Sequence, residues 1–283
     1  MHKLQARNIP SDLYDRVQAA AEKNNRSLEG EVRHAIASQY PAPGTEKLPQ
    51  RVQWQQETAD RLRRLVTQLR MDDFWRFRGP GSVVQFARTV GEASPADFLD
   101  WLDGSSPLPF EAAERIADFT SCSADWLMDG WGSPFPVEDI GSPGDYEAFF
   151  SPAGPENYRY HLIRFPDESL YFVRYDRQAD IWTSGYTGGR FYLGDGMGSG
   201  GQGNLKSFLR FLKEHCSNLR IDSHDSREDS AYIEDHHPRW LLKDAEHTMT
   251  DWLSALLKGE VPAHWQNTDD LRYVIAGFKN VSA

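Results

Sequence analysis

The sequence has few cysteines and no long apolar run, and each absence narrows the class of protein. Its two cysteines, Cys122 and Cys216, lie far apart and form no CxxC pair. This pattern indicates neither a disulfide framework nor a thiolate zinc site. No apolar stretch approaches the about 20 residues that a membrane-spanning helix requires, and the N-terminus shows no signal-peptide pattern. We expect a cytoplasmic protein with no membrane partner.

Positive charge is also scarce, with 31 basic against 42 acidic side chains and a net charge of −11 at pH 7. At first sight this argues against nucleic acid, because phosphate binding depends on clustered Lys and Arg. The deficit is uneven, however: residues 82–140 hold eleven acidic side chains against two arginines, whereas residues 1–40 carry a small basic excess. The acidity therefore belongs mostly to the middle of the chain.

No arrangement of Ser, His and Asp, or of Cys and His, matches a catalytic pattern, so we expect no enzymatic activity and no cofactor. Histidines and acids do gather late in the chain, but no pair has the spacing that preorganises a metal site. We interpret them as a solvated polar loop, with metal binding as the alternative. These residues are His224, His236 and His237 with Asp222, Asp225, Glu228 and Asp229.

A glycine-rich segment, Gly194–Gly203, contains a GxGxxG match at Gly196, Gly198 and Gly201. With Lys206 nearby, a phosphate cradle is one interpretation. The preceding strands are predicted to be antiparallel, so the context of a dinucleotide-binding fold is missing. We favour a flexible connector.

Near the N-terminus, apolar and polar residues alternate over five positions, which is the period of a half-buried strand. The polar face of this strand consists of Lys3, Gln5 and Arg7. A single strand buries too little to be stable, and no hairpin partner lies close in the sequence. We therefore predict that it pairs with the same strand of a second copy, and that both copies expose this face.

Two amphipathic helical patterns follow. The first extends from Asp12 to Lys23, and the second begins after Ser27, which can cap it, and ends near Tyr40. The free backbone N–H groups at the start of the second helix favour an anion, and Arg26 lies beside them.

With the run RNIPSDLYDRVQAAAEKNNRSLEGEVRHAI, residues 2–40 resemble the Arc-type ribbon-helix-helix family of DNA-binding proteins. The resemblance implies an intertwined dimer whose antiparallel ribbon enters the major groove. The side-chain chemistry agrees, because Arg and Lys donate to guanine and Gln bonds adenine. The alternative is a strand used only for dimerisation. The resemblance assigns base recognition to Lys3, Gln5 and Arg7, and phosphate binding to Asn25, Arg26 and Ser27.

The middle of the chain is predicted to be helical. Residues 41–51 contain three prolines and are predicted as a linker. Residues 52–140 form the next predicted domain, which opens with a helix from about Val52 to Leu69. In the segment Ser82–Gly104, two short helices flank a turn at Gly91, which is a helix-turn-helix pattern.

Two further helices are predicted over Pro109–Phe119 and Ser123–Met128, and the run ends in CSADWLMDGWGSPF. Residues 55–136 thereby resemble the lambda-repressor-like helix-turn-helix family. The resemblance implies a five-helix bundle whose second short helix reads DNA.

That helix carries the wrong charge for reading DNA. After the capping Ser94, its exposed positions hold Ala96, Asp97 and Asp100, and carboxylates repel phosphates. We favour a unit that dimerises or docks a protein partner. The alternative is direct DNA binding, with backbone contacts from nearby basic side chains: Arg61, Arg63, Arg64, Arg76 and Arg78.

Residues 141–157 are rich in Pro, Gly and Ser and are predicted as a second linker, before an α+β domain over residues 158–283. Alternating runs between turn-like segments predict an antiparallel sheet. The predicted strands are Tyr158–Phe165, Ser169–Tyr175, Ile181–Tyr186, Arg190–Leu193 and Leu271–Phe278, and the predicted helices are Leu205–His215 and Ala245–Leu257.

Aromatic side chains recur along these strands. We interpret them as core, with a ligand pocket as the alternative. They are Tyr158, Tyr160, Tyr171, Phe172, Tyr175 and Trp182.

The sequence thus predicts a multidomain protein: a dimeric ribbon-helix-helix domain, an all-α helix-turn-helix bundle, and an α+β domain for sensing or assembly. We expect it to bind a double-stranded DNA operator as a homodimer or higher oligomer and to regulate transcription, as a repressor of prophage or mobile-element type. The alternative is an antitoxin or immunity-type interaction protein, in which the acidic middle domain or the C-terminal half binds a protein partner.

Overall fold

The chain divides into two compact units, Met1–Gln53 and Trp54–Ala283. The first unit contains helices α1 (Ser11–Lys23) and α2 (Leu28–Gln39), close to their predicted positions. The computed structural model describes residues 9–24, 26–39, 48–76, 78–79, 81–151, 154–243 and 245–279.

The predicted helical bundle comprises α3 (Gln50–Met71), α4 (Val83–Thr89), α5 (Pro95–Asp103), α6 (Phe110–Thr120) and α7 (Ala124–Asp129). Serine side chains cap α5 at Ser94, as predicted, and α4 at Ser82, which was not predicted. Ser82 Oγ accepts a hydrogen bond from the Gln85 N–H at 3.2 Å, and Ser94 Oγ accepts one from the Ala96 N–H at 3.1 Å. Helix α5 ends at Gly104, whose φ of 70° suits glycine.

The inner faces of these helices form one buried apolar cluster, in which large residues recur at helical spacing. The cluster includes Leu62, Leu65, Leu69, Phe86, Phe98, Trp101, Ile116 and Leu127.

Arg61 of α3 holds the C-terminus of α7. Its Nε donates to the Leu127 carbonyl at 2.9 Å, and its Nη2 donates to the Met128 carbonyl at 2.8 Å. Trp54 Nε1 donates to the same Met128 carbonyl at 2.9 Å. Carbonyls in the last turn of a helix have no partner within the helix, so these donors complete it.

A six-stranded mixed sheet follows, with strand order β1-β4-β3-β2-β5-β6. Strands β2, β3 and β4 form the predicted antiparallel meander, whereas β1 pairs with β4 and β5 pairs with β2 in parallel. The predicted sheet was purely antiparallel, and that prediction is wrong. The strands are β1 (Val137–Asp139), β2 (Tyr158–Arg164), β3 (Leu170–Asp176), β4 (Ile181–Tyr186), β5 (Ile221–Asp225) and β6 (Met249–Thr250).

The strand predicted over Arg190–Leu193 is not formed. Phe191 and Leu193 are buried, which produces the alternation. However, the Arg190 N–H donates to the Thr187 carbonyl at 3.1 Å, and the Leu193 N–H donates to the Glu168 carbonyl at 2.8 Å. The backbone of this segment is therefore bonded to turns rather than to a ladder.

The helices of this part of the chain include one inside the segment predicted as a linker. Residues 143–150 form a helix whose Tyr146, Phe149 and Phe150 enter the main core. The Pro and Ser that suggested a linker start this helix, with Ser142 before it and Pro143 in its first turn. The helices are α8 (Pro143–Phe150), α9 (Gly198–His215), α10 (Ala245–Thr248), α11 (Trp252–Leu257) and α12 (Asp269–Lys279), with 3₁₀ turns at Pro155–Asn157, Ile233–Asp235 and Pro238–Leu242.

Two further predictions are wrong. The last predicted strand, Leu271–Phe278, is helix α12, because Leu271, Val274 and Ile275 are buried at helical spacing. The helix predicted over Ala245–Leu257 is interrupted by β6, which pairs with β5. None of the helices in the described ranges is long and apolar enough to cross a bilayer.

Bundle and sheet, predicted as separate domains, belong to the same compact unit. At their junction, Asp72 is buried and accepts a hydrogen bond from the His237 backbone N–H at 2.7 Å. Its Oδ1 lies 2.7 Å from His236 Nδ1 and accepts from Gln68 Nε2 at 2.9 Å. The buried ring of His237 packs edge-on against Phe74, with the centroids 4.8 Å apart.

Candidate functional site

Of the six residues predicted to contact DNA, two belong to the described part of the chain. Arg26 pairs with the buried carboxylate of Glu31 at 3.1 Å, and 39% of its side chain remains exposed. Ser27 Oγ accepts a hydrogen bond from the Gly30 N–H at 3.1 Å, so it caps α2 as predicted. Arg26 is thus the side chain of this pair that can reach an anion. The other four, Lys3, Gln5, Arg7 and Asn25, lie outside the described residues.

Helices α1 and α2 leave apolar side chains exposed. Among the described residues of the first unit, only Ala21 and Glu31 are buried. Four large apolar side chains on the two helices are 38–45% exposed, although a pair of helices of 13 and 12 residues needs packing to be stable. They are Leu13, Tyr14, Val32 and Ile36.

The outer face of α5 is acidic, as the sequence predicts. Ser94 is engaged as the helix cap, and Ala96, Asp97 and Asp100 are exposed beyond it. Within the described ranges, neither aspartate forms an ion pair. The helix therefore presents uncompensated carboxylates, which disfavour phosphate contact.

The arginines that support the alternative of direct DNA binding are engaged within the second unit. Besides the contacts of Arg61 with α7, Arg64 pairs with Asp235 at 2.7 Å and Arg78 pairs with Asp180 at 2.6 Å. The Arg78 guanidinium also lies over the Phe74 ring, 4.1 Å from its centroid. The remaining two are also engaged: Arg63 donates to Asp60 and to the Leu102 carbonyl of α5, and Arg76 forms an ion pair with Asp73.

The glycine-rich segment is ordered by a carboxylate. The prediction of a flexible connector is wrong for residues 198–203, which form the first turns of α9. Asp270 of α12 accepts hydrogen bonds from the Gly196 N–H at 2.8 Å and the Met197 N–H at 3.1 Å. Its other oxygen accepts from Gln202 Nε2 at 2.8 Å. Two backbone N–H groups of the predicted phosphate cradle and the Gln202 amide are therefore already bonded to Asp270.

The prediction of a solvated polar loop is wrong for His224 and His237, which are buried, and the three histidines do not lie together. His236 and His237 lie at the junction on Asp72, whereas His224 lies in the sheet with its Nε2 3.0 Å from His161 Nδ1. No group of three potential metal ligands occurs among the described residues. Sequence reasoning missed His161 and Asp72 because their partners are more than 60 positions away in the chain.

Of the six aromatic residues predicted to form the core of the sheet, two are buried in it, and three others, Tyr158, Tyr171 and Trp182, are partly buried and pack against it. Tyr160 and Phe172 are fully buried, and Tyr175 stacks on Trp182 with ring centroids 4.2 Å apart. Among these aromatic residues, Tyr158 lines a cavity at one end of the sheet.

A cavity of 800 Å³ opens where α9 and α11 meet the edge of β5. Apolar walls come from Leu212, Leu253 and Leu257, and Lys213 and Lys258 also line it. The buried thiol of Cys216 in the wall has its pKa raised to about 12 by burial, so it stays protonated and is not a nucleophile at neutral pH. Sequence reasoning missed this cavity because its rim includes β6, which was predicted as helix.

Comparison with known protein families, curated proteins and solved structures gives no match to this chain.

Proposed function

We propose that this chain is a dimeric, sequence-specific DNA-binding regulator of transcription. The observation that carries the proposal is the exposed apolar face of α1 and α2, which these helices do not cover themselves. A second copy of the same two helices covers this face and pairs the two N-terminal strands. The paired strands then present Lys3, Gln5 and Arg7 from both copies to the edges of the bases.

Arg26 adds affinity rather than selectivity in this proposal. Its exposed guanidinium stands at the start of α2, where backbone N–H groups also favour an anion. Contacts to phosphate position a protein on DNA without reading its sequence. The bundle and sheet then serve assembly or sensing, since α5 presents carboxylates where a recognition helix needs donors.

Selection from a pool of random duplexes with the full chain tests the proposal. We expect enrichment of a palindromic site, because a two-fold dimer reads two equivalent half-sites. Gln5→Ala and Arg7→Ala are expected to lose preference at defined base positions and to bind the selected site about tenfold more weakly, since a good base contact contributes about 1–3 kcal/mol.

Lys23→Ala is the matched control for Arg7→Ala, because it removes the same charge from the exposed end of α1. It is expected to leave base preference unchanged. A failure to enrich any site, or an unchanged preference in both ribbon variants, contradicts the proposal.

The exposed carboxylates of α5 favour a second candidate, an interaction protein whose acidic face holds a basic protein partner. Footprinting on the selected site separates the two roles of α5. Protection limited to one palindrome, unchanged in Asp97→Lys/Asp100→Lys, excludes α5 from contact with DNA and leaves its acidic face to the second candidate. Longer protection that depends on these positions assigns it to DNA.

A further inference from the structure

A cavity at one end of the sheet gathers positive charge in a chain whose net charge is −11. Its volume is 360 Å³, and Arg159, Arg177 and Arg220 line it together with Tyr158 and Asn218. Binding sites for small molecules begin at about 300 Å³. Three guanidinium groups repel each other, so the carboxylates beside them decide how much positive charge the cavity keeps.

The topology of the sheet brings the three arginines together. Strands β2 and β5 are parallel neighbours, so Arg159 near the start of β2 lies beside Arg220, which directly precedes β5. Strand β3 is antiparallel to β2 and ends at Asp176, so Arg177 emerges at the same end. The cations therefore project from three adjacent strands of a rigid scaffold.

The carboxylate of Asp222 lies close to two of these arginines, Arg159 and Arg220. Arg159 Nε and Nη2 both lie 3.0 Å from Asp222 Oδ2. Arg220 Nε lies 3.8 Å from Asp222 Oδ1, and 70% of the Arg220 side chain is exposed. Asp222 thus neutralises one positive charge, and most of the Arg220 side chain, which lines the cavity, remains exposed.

Arg177 is held by neutral groups. Its Nη2 donates to the Glu156 carbonyl at 2.8 Å, and its Nε donates to the Asn157 carbonyl at 3.3 Å. These bonds orient the guanidinium but do not neutralise it. The Glu156 carboxylate in the lining and Asp222, which pairs with Arg159, oppose the three guanidiniums, so an excess of one positive charge remains to attract an anionic ligand.

We propose that this cavity binds the phosphate group of a phosphate ester. A terminal phosphate carries a charge of about −1.5 to −2 and three acceptor oxygens, enough to engage several guanidiniums at once, whereas a carboxylate offers two oxygens. The planar fork of arginine matches phosphate in geometry and charge. The terminal phosphate of a free nucleotide fits this account in full. The second source is the backbone of DNA, in which each phosphodiester carries one negative charge and two free oxygens, but successive groups can reach different guanidiniums. The inference does not depend on the function proposed above.

Calorimetry at constant ionic strength, with adenosine monophosphate titrated into the full chain, tests whether the cavity binds a free nucleotide. Adenosine without its phosphate is the matched probe and is expected not to bind. In Arg177→Gln/Arg220→Gln the dissociation constant for the nucleotide is expected to rise about tenfold or more, because two charge-assisted contacts are lost.

Arg210→Gln is the control, because Arg210 is exposed on α9 outside the cavity. It is expected to bind the nucleotide as the unmodified chain does. Asp222→Asn is expected to bind more tightly, because Arg159 and Arg220 lose their internal anion. Misfolding would weaken binding instead, so this variant separates the proposal from a loss of structure.

A duplex of random sequence tests the DNA source. If the phosphate is that of DNA, the double variant lowers non-specific duplex affinity and its dependence on salt, relative to Arg210→Gln. A loss in either the nucleotide or the duplex measurement supports the cavity as a phosphate site and identifies the source. If neither measurement distinguishes the double variant from Arg210→Gln, the proposal is overturned.

Discussion

Buried histidines are the residues whose chemistry departs furthest from that of the free side chain. His161 and His224 face each other in the sheet, and both are buried. Burial lowers the pKa of His161 to about 3, with the neighbouring His224 as the next cause. Burial also lowers the pKa of His224, and burial together with Arg78 and Arg239 places the pKa of His237 well below its usual range. All three are neutral in the folded chain at pH 7.

The free energy of unfolding is therefore expected to fall as the pH is lowered from 7.5 to 5.5. Unfolded histidines have a pKa of about 6.5, so the unfolded chain takes up protons that the folded chain excludes. Each histidine contributes a slope that approaches about 1.4 kcal/mol per pH unit below its unfolded pKa. Urea unfolding at several pH values measures this slope.

The double variant His161→Gln/His224→Gln is expected to flatten the profile, whereas His215→Gln, on α9, is the control. The pKa of Glu138, an exposed residue of the edge strand β1, is raised because nearby atoms partly desolvate its carboxylate; this shift acts in the opposite direction, but equally in all variants. An identical slope in the double variant and the unmodified chain contradicts the assignment.

At the level of elements, α9 and α12 stabilise each other's first turns. Asp270 accepts three hydrogen bonds at the start of α9, and Asp195 Oδ1 accepts one from the Asp270 N–H at 2.8 Å. The exchange satisfies N–H groups that a helix start leaves without partners. It explains how a segment rich in glycine, a poor helix former, becomes helical.

Asp270→Ala is expected to lower the free energy of unfolding by about 1–2 kcal/mol, the usual cost of a lost helix cap. Asp269→Ala removes the same charge from the same first turn of α12, where Asp269 is exposed. It is expected to cost less than about 0.5 kcal/mol. Denaturant unfolding of both variants measures the difference, and equal losses contradict the capping role.

The elements that sequence predicts best are those whose ends are marked locally. Helices α4 and α5 have serine caps, and β2, β3 and β4 alternate between turns. The prediction fails where contacts with residues distant in the sequence determine whether a segment is a strand, a helix or a turn. Phe191 and Leu193 alternate with polar residues as in a strand, but backbone N–H groups of their segment donate to carbonyls in turns. The pattern around Leu271 fits a strand or a helix, and its buried neighbours in the core make it a helix.

The candidate site shows the same limit. The acidic face of α5 follows from the sequence alone, because helical spacing fixes which residues share a face. The pairing of Arg64 with Asp235 and of Arg78 with Asp180 does not, since each pair spans about a hundred positions or more. The arginine cavity likewise depends on the parallel pairing of β2 with β5, which no local pattern indicates.

At the scale of the whole second unit, bundle and sheet are expected to unfold together. Asp72 in the bundle accepts a hydrogen bond from the His237 backbone, and the Phe135 N–H donates to the Glu234 carbonyl at 3.0 Å. The Ser121 hydroxyl accepts from the Trp182 N–H at 2.9 Å. These buried polar contacts join the two parts at several points rather than through a single connection.

Asp72→Ala is expected to lower the stability of both parts equally, by about 3 kcal/mol, because it leaves buried donors without their acceptor. Hydrogen exchange monitored in peptides from α6 and from β3 measures the two parts separately. Asp118→Ala, at an exposed position of α6, is the control. Faster exchange confined to α6 contradicts a single cooperative unit.

The two edge strands of the sheet, β1 and β6, affect how the chain behaves at high concentration. β1 has three residues, two of them the exposed acids Glu138 and Asp139, and β6 has two. Short, charged edge strands offer few unpaired backbone groups to which another strand could hydrogen-bond. Natural sheets avoid edge-to-edge aggregation in this way. We therefore expect the edges of this sheet to contribute little to association between copies of the chain.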